Sequence, residues 1–235
     1  MICEPTPDFI HPNSIGLRNE RSLHGDIRSW YAMTGDQFEV PIDGSIIDIV
    51  RGDLLIEIQT RNLGKLKHKI TRLLQSHPVR LIYPIALHKW IVKQDAEGNE
   101  LSRRRSPKKG NPSHIFNELI HIPQLIKHPN FSLEVLLIDE EEVRCDDGKG
   151  SWRRKRISIA DRRLLGVQER VLLASPADYR TFLPANLAMP FSVKELASAA
   201  KWRPAFARKA VYALRHIGLL NVCGKRGNEL LCEPA

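Results

Sequence analysis

The chain has 235 residues, 42% of them hydrophobic, and a net charge of +9, enough for one large domain or two modest ones. No run approaches the roughly 18 apolar residues of a membrane span, and the opening "MICEPTPDFIHPN" lacks the basic start and apolar core of a signal peptide. The four cysteines (Cys3, Cys145, Cys223, Cys232) are scattered with no CxxC pair, which argues against a zinc ribbon or disulfide scaffold and points to a reducing cytoplasm.

In chain order, "SIGLRNERSLHGDIRSWYAM" reads as a helix from near Ser14, with Leu17, Leu23, Ile27, Trp30 and Tyr31 at helical spacing and Glu20 among them. "DQFEVPI", "GSIIDIV" and "DLLIEIQ" read as three strands separated by turn signals. "LGKLKHKITRLLQS" is a second amphipathic helix, and "VRLIYPIALHKWIV" a long buried strand. "LSRRRSPKKGNP" reads as a basic loop or strand edge, and "SHIFNELIHIPQLI" as a helix with Ser113 as N-cap. "FSLEVLLI" is a strand that the acidic "DEEEVRCDDGKG" carries into a turn. "SWRRKRISIADRRLLGV" alternates basic and apolar residues, as an exposed strand would. "FSVKELASAA" opens with a Ser192/Glu195 capping box; "KWRPAFARKAVYALRHIGLL" has Pro204 in its first turn and Gly218 at its stop. "LLNV", "CGKRGN" and "ELLC" then form a small hairpin.

The hairpin from Gly44 to Thr60 carries three polar residues among Ile and Leu. With Arg51-Gly52 as a two-residue turn, strand alternation puts Asp48, Glu57 and Gln59 on one face, with Asp48 and Glu57 as diagonal neighbours. Ile47, Ile49, Leu54, Ile56 and Ile58 fill the other face. Two carboxylates so placed repel unless a cation lies between them. Mg²⁺ is commonly held by only one or two carboxylates with water and substrate phosphate. The alternative is a solvent-facing hairpin with ordinary surface acids.

An Asp on one strand followed by Glu-x-Lys on the next, within the order αβββαβ, resembles the PD-(D/E)XK nuclease superfamily. Asp48 stands at the motif's Asp, and Glu57-Ile58-Gln59 at its E-x-K element. The resemblance covers about residues 14–92 and implies a restriction-endonuclease-like α/β (α+β) core with a mixed sheet. It implies Mg²⁺ (or Mn²⁺) held by Asp48, Glu57 and the Ile58 carbonyl, with Glu20 as an additional acid. Gln59 replaces the lysine and would position the water. A migrated lysine would compensate, and Lys65 and Lys69 on the next helix are the candidates, with Lys65 entering the catalytic set.

Charge divides the chain unevenly. Residues 1–150 hold 20 Lys and Arg against 21 Asp and Glu, and residues 151–235 hold 16 against 6. Helix, tight turn, helix and hairpin in the basic part is the pattern of a winged helix-turn-helix. Arg203, Arg208, Lys209 and Arg215 on its second helix, and Lys225 and Arg226 at the hairpin tip, are candidates for DNA contact, although those on the helix cannot all share one face. "RRKR" at 153–156 is a less specific basic edge, and Trp152 and Trp202 read as core residues. The expected organisation is a nuclease-like domain over 1–150, a basic connector over 151–175 and a winged-helix domain over 176–235. The expected activity is Mg²⁺-dependent cleavage of double-stranded DNA, with a homodimer as a reasonable assembly. The competing readings are a catalytically inactive DNA-binding regulator and a protein-interaction adaptor.

Overall fold

The computed structural model describes residues 22–95, 97–154 and 156–235; Glu20 lies outside them. Helix α1, Ser22–Tyr31, buries Leu23, Ile27 and Tyr31, one every four residues and so along one face. Strands β1 (Gln37–Ile42), β2 (Ser45–Arg51) and β3 (Leu54–Ile58) follow as an antiparallel meander. The β2–β3 register pairs Arg51 with Leu54, so the turn is Gly52-Asp53, one residue later than the sequence suggests. Gly52 adopts φ +56°, the conformation that glycine supplies at the first position of a tight hairpin turn. The shift preserves parity. Continued one step, it sets Asp48 directly across from Glu57 rather than on the diagonal.

A 3-10 turn over Leu63–Leu66 leads into α2 (Lys67–Leu73), and the chain returns as β4 (Val79–Gln94). β5 (Glu100–Arg105) folds back on the far end of β4. The helix expected over 113–126 is instead 3-10 turns around a single short helix, α3 (Phe116–Leu119). β6 (Phe131–Cys145) and β7 (Ser158–Leu173) complete a seven-stranded mixed sheet of order β1-β2-β3-β4-β6-β7, with β5 beside β4. β3, β4 and β6 are mutually parallel; the other pairings are antiparallel. This is the mixed α/β content and mixed sheet that the sequence predicts.

The acidic stretch after Ile138 is not a turn. β6 runs through it, because strands on both sides supply cations. Glu140, with no exposed surface, lies 3.0 Å from Lys89 of β4 and accepts from Arg162 of β7 at 2.8 Å. Glu142 pairs with Lys89 at 2.9 Å and with Arg144 at 2.7 Å. At the other end of β6, buried Glu134 accepts from Tyr31 Oη and Arg170 Nε, both at 2.6 Å. Much of the expected connector is therefore β7, and three of its arginines are engaged by β6 carboxylates.

Two apolar clusters flank the sheet. α1 packs with Ile49, Ile56, Ile58, Ile82, Leu136 and Ile138 on one face. The larger cluster lies on the other face and joins α2 and α3 to the C-terminal segment. Ile47 belongs to this larger cluster, not with Ile49 as expected. The C-terminal segment comprises β8 (Phe191–Ser192), α4 (Val193–Ala199), α5 (Pro204–Ile217), β9 (Leu220–Arg226) and β10 (Glu229–Pro234), with its own three-stranded sheet β8-β10-β9. The Ser192/Glu195 capping box forms, and Gly218 ends α5 at φ +88°. Ala207, Ala210, Leu214 and Ile217 of α5 share one core cluster with Phe116 and Leu119 of α3. Trp202 packs edge-on against Phe116 and Phe206, as a core residue; Trp152 does not, being 79% exposed with Arg153 over its ring.

Arg162→Leu should lower stability by about 3 kcal/mol in urea unfolding, because it strips a partner from a fully buried carboxylate. Adding Glu140→Leu should recover most of the loss. A single variant with no cost would show that Lys89 alone satisfies Glu140.

Candidate functional site

The hairpin brings Asp48 and Glu57 together as the sequence predicts. Asp48 Oδ2 accepts the Ile58 main-chain N–H at 2.7 Å and lies 3.2 Å from His24 Nε2 of α1. Gln59 N–H turns the other way, to the Ile82 carbonyl of β4. Since the N–H and carbonyl of a strand residue point to the same side, the Ile58 carbonyl also faces the Asp48 side. Glu57 is 3% exposed, and Lys69 Nζ of α2 lies 2.6 Å from its Oε1. The same ammonium donates to the Ile46 carbonyl at 2.6 Å.

Burial and the Asp48 charge outweigh Lys69 and push the Glu57 carboxyl up to about 7. Burial also pushes Asp48 upward, but the His24 contact and the Ile58 N–H overcome it and hold that carboxyl below the usual range. The two acids are thus driven apart: one firmly ionised, one poised near neutrality.

Two expected members take other positions. Lys65 is exposed in the 3-10 turn, and its ammonium makes no ion pair among the described residues. The 3-10 turn ends at Leu66, so Lys65 and Lys69 do not lie on one continuous α-helical face; the lysine that reaches Glu57 is Lys69. Gln59 donates its amide to the Arg61 and Asn62 carbonyls, which the left-handed turn at Asn62 (φ +54°) carries back toward it. No motif marks His24 in the sequence, although its spacing to Ile27 and Tyr31 (i, i+3, i+7) places it toward the sheet.

Residues 21–174 match the family described as "Domain of unknown function (DUF8091)". The chain belongs to this family. An uncharacterized protein of Treponema pallidum (strain Nichols) is 32% identical over 219 residues, 93% of this chain and 86% of its own length. No solved structure matches. The DUF8091 region holds the whole seven-stranded sheet and ends one residue after β7.

Beyond the DUF8091 region, the basic candidates separate. Arg208, Tyr212 and Arg215 form an exposed stripe along α5, and Arg203 is exposed at its N-cap. Lys209 turns toward the DUF8091 region and donates to Asn117 Oδ1 at 3.0 Å. Arg226 pairs with Glu195 at 2.8 Å, while Lys225 stays exposed on the hairpin.

Glu57 sets a pH dependence with a definite sign. The folded carboxyl keeps its proton to about 7, whereas an ordinary glutamate releases it near 4.5. Between those values the folded state holds more protons, so stability falls as pH rises through the window. Glu57→Gln should remove that loss, worth about 3 kcal/mol at ~1.4 kcal/mol per pH unit. Urea midpoints taken near pH 4 and pH 8 should diverge in the variant's favour at the higher pH; a constant offset would place the Glu57 carboxyl in the ordinary range.

Proposed function

We propose that this chain is a metal-dependent endonuclease that hydrolyses DNA phosphodiester bonds, with the C-terminal helix-turn-helix and hairpin holding the duplex. The observation that carries the reading is the convergence of Asp48, Glu57 and the Lys69 ammonium at the β2–β3 hairpin. On this reading Lys69, although it comes from α2, would take the part that the lysine of E-x-K plays in the resembled nucleases.

Among the described residues no group of three or more His, Cys, Asp and Glu converges as a metal cluster. A two-carboxylate site suits Mg²⁺ or Mn²⁺, which complete their shells with water and phosphate oxygens. Glu57 is buried close enough to Asp48 for their charges to interact, and paired carboxylate oxygens fit a hard divalent cation. Asp48, Glu57 and the Ile58 carbonyl would hold the ion. When bound, it would lower the pKa of a coordinated water and shield charge on the phosphate. His24 holds Asp48 ionised and oriented. Lys69 keeps positive charge beside Glu57, able to orient a water or to steady a phosphate oxygen. Gln59 braces the loop over 59–62 and leaves the chemistry to Lys69. The free cysteines Cys145, Cys223 and Cys232 suit a reducing, cytoplasmic setting.

A second reading, an inactive nuclease-like DNA-binding regulator, draws on the spent amide of Gln59 and on the Lys69 ammonium tied to the Ile46 carbonyl.

Plasmid cleavage with and without Mg²⁺ separates the two. Asp48→Asn and Glu57→Gln should abolish cutting, and Lys69→Met should slow it by about 10²-fold or more. Gln59→Ala should change activity far less. A wild-type protein that binds DNA but never cuts would establish the regulator. In a salt titration of duplex affinity, Arg208→Ala with Arg215→Ala should flatten the log–log slope by up to about 1.8; an unchanged slope would remove α5 as a DNA reader.

A further inference from the structure

The edge of β4 that faces β3 and β5 has a gap. β3 pairs with it as far as Ile82, and β5 takes over at Trp90. Between these positions the edge is met by a loop, through Ser106 N–H to the Lys89 carbonyl at 2.7 Å and Gly110 N–H to the Ala86 carbonyl at 2.9 Å. A Cβ on Gly110 would fall 2.4 Å from the Ala86 carbonyl oxygen and 2.6 Å from Ile85 Cγ2, so only glycine seats the loop this closely.

Above the gap opens a cleft of about 620 Å³. Its lining includes Ile85 and Ile91 and the basic residues Lys89, Arg104, Lys108, Lys109 and Arg144; no Asp or Glu lines it. Lys89 and Arg144 are paired with Glu142. Arg104, Lys108 and Lys109 are exposed and make no ion pair among the described residues. The loop that carries the two lysines is pinned at both ends, so its main chain needs little further ordering on binding.

Leu81, beside Glu57 in the parallel register, and Ile85 both belong to the larger core cluster. Ile85, in the lining of the cleft, therefore lies on the sheet face that bears Glu57 and α5. His114, also in the lining, packs edge-on against Phe206 of α5 at 5.9 Å. We infer that this cleft binds the phosphate backbone of a nucleic acid strand. An open trough with several unpaired cations and no acid suits a chain of phosphates better than one small anion, and its shared face allows one strand to engage both the cleft and α5. The inference needs only a polyanion ligand and is independent of the catalytic reading.

The experiment is fluorescence anisotropy of a labelled DNA duplex titrated with full-length protein in EDTA, across about 50–200 mM salt. Arg104→Ala, Lys108→Ala and Lys109→Ala combined should weaken binding and flatten the salt slope by up to about 2.7, at about 0.9 for each phosphate no longer neutralised. These side chains are exposed, so the fold should persist, as circular dichroism would verify. Gly110→Ala should weaken binding with every cation still present, by moving the loop. Excess inorganic pyrophosphate should compete only weakly with the duplex. An unchanged slope in the triple variant would overturn the inference, as would tight pyrophosphate binding lost in that variant while duplex binding stayed whole. Because no metal is present, failure of cleavage leaves the test intact, and binding without cleavage would sink only the nuclease.

Discussion

The structure depends on neutralising the carboxylates of β6. Glu134, Glu140 and Glu142 are buried on a strand with neighbours on both sides. Left alone, each would cost several kcal/mol to desolvate. Arg80 and Lys89 of β4, Arg144 of β6 itself, and Arg162 and Arg170 of β7 meet them. The pairings require β4 and β7 to run the length of β6, which accounts for strands of 15 and 16 residues where about 5 or 6 would be usual. They also fix register, because a slip of one residue would turn each acid to the opposite face from its cation.

The same pairings change what the charge distribution means. A balance of +10 over residues 151–235, from 16 basic and 6 acidic residues, looks like a field aimed at an outside polyanion. In the fold, Arg162, Arg163 and Arg170 answer acids that lie earlier in the chain. Among the cations left exposed are Arg208 and Arg215 on α5 and Lys108 and Lys109 on the loop beside Gly110. One of those places reads in the sequence only as a basic loop or strand edge. Its character as a cleft arises from the gap between β3 and β5, which follows from strand pairing and not from composition.

How far the sequence can be read follows the range of the interactions involved. The β2–β3 hairpin is accessible because two-residue periodicity and a glycine are local signals; even a one-residue error in the turn leaves the carboxylates on one face. The capping box at Ser192 and the stop at Gly218 are local too. The continuation of β6 through Asp139–Glu142 is hidden, because acids read as a turn until their partners, 22 and 53 residues away, are known. Lys69 cannot be chosen over Lys65 without knowing that Lys65 lies in a 3-10 turn. His24 carries no motif at all, and only its helical phase marks it.

The core that α5 shares with α3 bears on inheritance. The DUF8091 match stops at residue 174, but the apolar cluster continues to Cys232. A chain with the family region alone would leave Phe116, Leu119 and their neighbours facing water. Lineages can therefore lose or exchange the segment after residue 174 only by supplying another cover for that face. The Treponema relative is aligned over 93% of this chain, so its match must extend well into the C-terminal segment. The two parts are then expected to descend as a unit, with substitutions in α3 answered by substitutions in α5.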